Sequence, residues 1–388
     1  MREVRSQRLQ VLPPYHFVEI DRKKRRAVEA GRDVIDLGIG DPDKPTPKFI
    51  RERMARAIED PANHRYPFEI GVPAFRQNAA GFMQHRFGVT LDPQTQVMAV
   101  MGSKEALAHL PLAVVNPGQV VLVPDPGYTV YYAATIFAGG EPHRMALSEK
   151  TRWLPDLDAI PADVCRKARL MYLNYPNNPT AAVADERFYR RAVDFARKHD
   201  IIVVQDAAYS EVYFDTRPPS ILEVPGAVDV AVEIHSLSKT FNMTGWRIGF
   251  ATGNAEVLAA LAAVKANVDS GQFNAIQAAA AEALAQADHV EVKALLDIYR
   301  ERRDVLVPGL VDSGFEVRKP EATFYVWARC PKGHSSMEVA GRLLDEADVN
   351  MVPGIGFGEP GRDYVRAALT APVDRIRESI DRIARIKW

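Results

Sequence analysis

The sequence predicts an α/β fold: a mostly parallel central sheet sandwiched by helices, with a smaller α+β domain. Three observations predict it. Between about residues 97 and 251, short apolar, β-branched runs alternate with stretches of helical periodicity, as strands buried on both faces of a sheet require. Polar residues stand repeatedly at the C-terminal ends of those runs, where open α/β sheets bind ligands. Beyond residue 312 an Ala-rich helical stretch gives way to short strands and helices, so the 388 residues divide into a large and a smaller unit.

In chain order, a charged helix is expected around Glu19 to Glu29, then a strand from Val34 to Leu37 running into Gly38-Ile39-Gly40-Asp41-Pro42. Glycines at 38 and 40 let the backbone of that turn approach a ligand closely, which makes Gly40 a candidate substrate contact. Helical periodicity covers Lys48 to Asp60 and Val72 to Phe87, and the loop between them, His64 to Gly71, exposes the aromatic ring of Tyr66. Val97 to Met101 is a strand, after which Gly102-Ser103-Lys104-Glu105 opens a helix reaching about Val115 and turns free N–H groups toward an anion. The strand Val120 to Pro124 leads into Asp125-Pro126-Gly127-Tyr128 at the mouth of the next helix. Leu170 to Leu173 ends in Asn174 and the Asn178-Pro179-Thr180 turn, and Ile201 to Val204 ends in Gln205-Asp206-Ala207-Ala208-Tyr209. Strands are expected at Val228 to Ile234 and Arg247 to Ala251, with Lys239 on a loop between them. Asn254 to Asp312 reads as helix interrupted only at Asp269-Ser270-Gly271. The strands Phe315 to Val317, Ala322 to Ala328 and Tyr364 to Ala368 and the helices Ser336 to Ala347 and Asp374 to Lys387 complete the chain. The large α/β domain is expected at 47-285, and the small one at 1-46 plus 286-388.

The totals narrow the function. With 49 Lys and Arg against 50 Asp and Glu, no overall field draws the chain to nucleic acid or anionic lipid, and small molecules are the expected partners. No apolar run approaches the ~20 residues of a membrane helix. Cys165 and Cys330 lack the spacing of a zinc or redox pair, and the histidines show no metal spacing, so no metal is expected. The N-terminal segment is basic without an apolar core, which with the low cysteine content predicts a cytoplasmic protein.

The chemistry centres on Lys239. Burial disfavours its ammonium and moves it toward the neutral amine that adds to carbonyls. Ser236, Ser238 and Arg247 around it supply hydroxyls and a planar cationic fork, the donors a phosphate needs. A lysine beside a phosphate cradle points to pyridoxal 5'-phosphate. Asp206 at a strand end would keep a pyridine nitrogen protonated, the protein's main electronic lever on such a ring. Tyr209 and Asn178 suit its phenolic oxygen, and Tyr128 its face. In the late strand, Arg366 offers a fork for an α-carboxylate, a role for which Arg362 and Arg329 compete. Gly356-Phe357-Gly358-Glu359-Pro360-Gly361 satisfies a dinucleotide string but precedes a strand instead of opening a helix, and His235 is expected to pack.

Together, Ser236-Leu237-Ser238-Lys239 with Arg247, Asn178-Pro179-Thr180 and Asp206-Ala207-Ala208-Tyr209 resemble the pyridoxal-phosphate-dependent aminotransferases of class I/II, the aspartate aminotransferase superfamily of fold type I, over essentially the full length. The resemblance implies a Schiff-base role for Lys239, a ring-nitrogen partner in Asp206, and contacts to the phenolic oxygen from Tyr209 and Asn178. It implies phosphate contacts from Gly102, Ser103, Lys104, Ser236, Ser238 and Arg247, a homodimer in which Tyr66 reaches the neighbouring subunit's phosphate, and an α-carboxylate arginine in Arg366. One departure is Ala181, where the family usually has Gly. Leu12 to Lys24, Asn267 to Gln277 and Pro353 to Glu359 are similar to the LL-diaminopimelate aminotransferase group. The implied activity is ping-pong transamination between an L-amino acid, best LL-diaminopimelate, and 2-oxoglutarate. The alternatives are a broad-specificity aspartate, alanine or aromatic aminotransferase and a carbon–sulfur β-lyase on the same fold.

Overall fold

The computed structural model describes residues 4–12, 17–67 and 70–388, with side chains described from residue 20 onward in the helix Phe17–Glu29. Pro13 to His16 of the Leu12 to Lys24 segment, and Phe68 and Glu69 of the Tyr66 loop, lie outside these.

Strands in chain order are β1 (Ile35–Asp36), β2 (Val97–Val100), β3 (Val120–Asp125), β4 (Glu141–Ala146), β5 (Ala168–Asn174), β6 (Ile202–Asp206), β7 (Ala231–Ser236) and β8 (Gly249–Gly253). They are followed by β9 (Glu316–Val317), β10 (Tyr325–Arg329), β11 (Val349–Asn350), β12 (Val352–Pro353) and β13 (Tyr364–Ala368). The central sheet has seven strands in the order β2-β8-β7-β6-β5-β3-β4. β3 to β7 run parallel, and β8 lies antiparallel to both of its neighbours. This is the α/β architecture expected from the sequence.

Alternation along each strand sends side chains into two separate cores, which is why the runs read as continuously apolar. Val120 and Leu122 join Phe82, Met83 and Phe188 on one face. Val121 and Val123 join Leu107, Leu110 and Leu258 on the other. A four-stranded antiparallel sheet, β12-β13-β10-β9, packs against the helices Val290–Asp312, Ser336–Ala347 and Val373–Ile383 around a third core. The early strand β1 pairs in parallel with the late β11, so the N-terminal segment returns to the C-terminal part of the chain. Arg302, 2 % exposed, binds both oxygens of Asp43 at 2.7 and 2.8 Å and so ties the same two parts together.

Besides the unexpected short strands β11 and β12 and the later start of β10, at Tyr325 instead of Ala322, four local differences from expectation stand out. Lys239 lies in a single helical turn, Leu237–Thr240, and not on an open loop. The run from Ser236 to Thr240 contains no Gly or Pro, and Phe241 N–H closes the turn on the Leu237 carbonyl at 3.1 Å. The flanking strands begin later than expected, at Ala231 and Gly249, because Ala227–Asp229 forms a 3-10 turn and Arg247 is left-handed at φ 55°. The Ala-rich stretch breaks twice into Ala255–Val268, Asn274–Ala285 and Val290–Asp312; the second break is capped by His289, whose ring accepts from Glu291 N–H. Finally, β4 is an edge strand of largely exposed polar residues and carries no apolar run to announce it.

Candidate active site

The strands β5, β6 and β7 end side by side at Asn174, Asp206 and Ser236, and all three residues line one cavity of about 820 Å³. Residues of the small sheet, Tyr325 and Arg366, close its other side.

Lys239 lines the cavity and donates from Nζ to the Gly40 carbonyl at 2.9 Å, with the Phe324 ring 5.5 Å away. Burial lowers its ammonium below the usual lysine range; Tyr325 and Asp41 oppose that shift, and Arg247 and Arg366 reinforce it. Gly40 is held against Tyr325 so closely that a Cβ there would come 2.0 Å from the hydroxyl.

Asp206 is 4 % exposed at the tip of β6. Burial pushes its carboxyl up to about 6, while hydrogen bonds from Tyr131 O–H at 2.7 Å and Ala208 N–H at 3.2 Å pull it down. Tyr209 donates to the Tyr325 hydroxyl at 3.0 Å. Asn178 donates its backbone N–H to Asn174 Oδ1 at 2.9 Å, and its own Oδ1 accepts from Arg366 Nη1 at 2.8 Å. Arg366 also donates to the Gly38 carbonyl at 2.9 Å and lies 4.1 Å from the Tyr325 ring centroid. Of the three arginines competing for this place, Arg366 is the one in the cavity. Arg362 is ion-paired with Glu359, and Arg329 reaches Glu149 at 3.5 Å.

Gly102 takes φ +77°, a backbone conformation strained for any side chain, and a Cβ on it would lie 2.5 Å from Arg247 Nη2. It precedes the helix Ser103–Val114, whose first-turn N–H groups lack intrahelical partners; Ser103 and Lys104 line the cavity. Across from them Arg247 is braced by its bond to the Thr244 carbonyl at 2.9 Å, and Ser236 ends β7. The Ser238 hydroxyl is buried and has no hydrogen-bond partner among the described residues. Tyr128 lines the same cavity, edge-on to Tyr131 with ring centroids 5.8 Å apart. Tyr66 stands apart, 88 % exposed and outside the cavity.

This donor set fits pyridoxal 5'-phosphate. An orphaned buried hydroxyl, a helix start and an arginine packed on a side-chain-free glycine form a phosphate cradle. A buried carboxylate and an amine of lowered proton affinity occupy the same cavity.

The sequence reading missed Tyr131 and Tyr325. Tyr131 was legible as a helix neighbour of Tyr128 three residues on, but nothing marked Asp206 as its partner. Tyr325 sits in an aromatic strand that reads as core. The glycine string at 356–361 forms two 3-10 turns before β13 and opens no α-helix. His235 packs flat on Phe250, with centroids 4.6 Å apart, and bonds Glu233 at 2.7 Å. Glu105, His109 and Asp269 bring possible ligand atoms within 4.8 Å of one another. The buried Lys265 ammonium compensates that cluster, 2.8 Å from Asp269 and 3.4 Å from Glu105.

Residues 32–383 match the family profile of aminotransferase class I and II. An LL-diaminopimelate aminotransferase of Aquifex aeolicus is 52% identical over 383 residues, covering 98% of this chain and 99% of that protein. Among solved structures, substrate-bound BacF from Bacillus subtilis superposes with a TM-score of 0.94 at 37% identity, covering 99% of this chain and 98% of that one. An aspartate aminotransferase double mutant from Thermus thermophilus gives a TM-score of 0.92 at 30% identity over 99% and 100% of the two chains.

Proposed function

The chain belongs to the class I and II aminotransferases, and within that family we propose that it moves the amino group of LL-diaminopimelate to 2-oxoglutarate. Its cofactor is pyridoxal 5'-phosphate. The observation that carries the proposal is the convergence of Lys239, Asp206 and Arg366 on one cavity beside the phosphate cradle. The 52% identity to a diaminopimelate enzyme supports the choice of substrate.

In the proposed site, Gly102, Ser103, Lys104, Ser236, Ser238 and Arg247 hold the phosphate, and Tyr128 lies against the ring. Bound there, the cofactor supplies an aldehyde that condenses with amines and a ring that accepts electron density from the substrate Cα. Asp206 holds the proton on the ring nitrogen through a charge-assisted hydrogen bond. Tyr209 and Asn178 bond the phenolic oxygen. Arg366 grips the α-carboxylate with its fork, steered by Asn178 and the Gly38 carbonyl, while Gly40 forms the wall beside the reacting carbon. Lys239 Nζ, biased toward the neutral amine, takes the proton from Cα as general base and gives it back as general acid.

The proposed assembly is a homodimer in which Tyr66 completes the neighbouring subunit's phosphate site; its exposure in the single chain supports this. Residues 47-285 and 1-46 with 286-388 are proposed as the large and small units. A cytoplasmic location is supported by the two buried free cysteines, and no helix of the described residues is long and apolar enough to cross a membrane.

The test is a half-reaction screen, in which the cofactor's visible spectrum is followed on mixing with single amino acids. LL-diaminopimelate is expected to convert it fastest, and an equal or faster response to aspartate, alanine or phenylalanine would favour the broad-specificity reading. Pyruvate released from cystathionine without an oxo-acid acceptor would mark a β-lyase.

A further inference from the structure

The helix Phe17–Glu29 forms part of the cavity wall, yet none of its side chains has a part in the chemistry above. Its residues Ile20, Asp21, Arg22, Lys24 and Arg25 line the cavity. Lys24 pins the helix in place by ion pairs to Asp36 at 3.1 Å and to Asp21 at 3.2 Å. Asp36 lies two residues before Gly38, the residue whose carbonyl holds Arg366, so the helix is fixed beside the backbone on which the carboxylate fork is docked. Arg25 takes the other Asp21 oxygen at 2.7 Å. Asp21 is thereby shared between Lys24 and Arg25. Arg22 has no ion pair or hydrogen bond among the described residues.

The charge of the cavity makes that solitary guanidinium informative. Leaving Lys239 aside, the lining carries six cations, Arg22, Lys24, Arg25, Lys104, Arg247 and Arg366, against Asp21, Asp206 and the Asp36 carboxylate that pairs with Lys24. A phosphate of about two negative charges and one α-carboxylate balance the remaining three, and the protonated ring nitrogen facing Asp206 leaves about one positive charge over. Substrate binding in a partly enclosed cavity favours filling that surplus with a second anion. Ile20 and the half-exposed Ile39 give the same wall an apolar stretch suited to a methylene chain.

Building on the transaminase reading above, we propose that Arg22 is a specificity residue that receives the distal carboxylate of the amino-acid substrate. The site then selects α-amino dicarboxylates with an aliphatic spacer, the class to which diaminopimelate belongs. Arg366 and Arg22 would hold the two ends of one molecule, and its reacting carbon would lie at the Arg366 end beside Lys239. A planar fork on a pinned helix meets a carboxylate bidentately, which the point charge of a lysine does not reproduce.

The experiment compares the cofactor-loaded wild type with Arg22→Gln and Arg22→Lys on LL-diaminopimelate, L-2-aminoheptanedioate and L-norleucine. The second donor keeps the distal carboxylate but lacks the distal amine; the third has neither. Arg22→Gln is expected to raise KM about 10- to 100-fold for both dicarboxylates, the loss of one charge-assisted hydrogen-bonded contact, with kcat changed far less. Norleucine should shift by less than about threefold, and Arg22→Lys should recover part of the loss. Equal losses on all three donors would make Arg22 a structural residue and overturn the proposal. Unchanged dicarboxylate KM values would overturn it too, assigning the distal carboxylate to another group. A wild type that does not prefer the dicarboxylates over norleucine would sink both this inference and the substrate reading before any variant is made. A wild type with that preference and an indifferent Arg22→Gln sinks this inference alone.

Discussion

Burial shifts two groups of the cavity in opposite directions, raising the Asp206 carboxyl and lowering the Lys239 ammonium. For Asp206 the folded carboxyl lies near 6, above its ordinary value, so in the cofactor-free protein the native state keeps a proton that the unfolded chain has already released. Stability is therefore expected to fall as pH rises from about 4 to about 6, by roughly 3 kcal/mol from this group. Asp206→Asn removes the contribution. The difference in melting temperature between wild type and variant, both without cofactor, should thus grow in the variant's favour across that window, and a constant difference would refute the assignment. A cation bound against the carboxylate reverses the trend, because it favours the ionised form. Tyr131 is the built-in counterweight. If cofactor holds Asp206 ionised as proposed, Tyr131→Phe deletes a hydrogen bond to a buried charge, with an expected loss of about 1.5–3 kcal/mol measurable by chemical denaturation of the loaded protein. The sequence singled out Asp206 from its place at a strand end, and the structure puts it in the cavity, but Tyr131 lay beyond reach because their contact joins residues 75 apart in the chain.

At the scale of elements, the turn after Asn178-Pro179-Thr180 carries the one departure from the family pattern. Ala181 adopts φ 58°, a left-handed conformation, while its N–H bonds the Asn177 carbonyl at 2.9 Å, so the turn forms with alanine in a glycine position. The left-handed region costs a non-glycine residue roughly 1–2 kcal/mol, and glycine gives back part of that through the unfolded chain. Ala181→Gly is expected to stabilise the protein by roughly 0.5–1 kcal/mol, seen as a higher urea midpoint; a lower midpoint would mean that the Ala181 methyl packs more favourably than its backbone is strained. What was legible here follows from physics. β2, β3, β5 and β6 are apolar runs buried on both faces, so they announced themselves. The exposed edge strand β4 has no such run, and the single helical turn bearing Lys239 is too short for any period to register.

For the whole molecule, the return of the N-terminal segment to the C-terminal part decides whether the cavity has two walls. Asp43 and Arg302, which are 259 residues apart, form a bidentate pair that also engages the Leu369 carbonyl. Asp43→Ala leaves a guanidinium buried without its partner, at an expected cost of about 3 kcal/mol, the lower end for such pairs since Asp43 is partly exposed. Denaturant unfolding measures it, and a loss under about 1 kcal/mol would show that solvent replaces the pair. The sequence could assign Arg366 to a carboxylate only as one of three arginines. Tertiary folding separated them by carrying Arg366 into the cavity and leaving Arg329 and Arg362 to surface ion pairs.

The proposed reaction turns on Lys239 as the amine that moves the substrate proton, in a cavity whose donors suit phosphate and an α-carboxylate. Its most direct test is the initial rate of glutamate formation from LL-diaminopimelate and 2-oxoglutarate, measured over both substrate concentrations for wild type and Lys239→Ala. The wild type should give parallel double-reciprocal lines, and the variant should lose at least about a thousandfold in rate. Activity within tenfold of wild type in Lys239→Ala, or intersecting lines in the wild type, would contradict it.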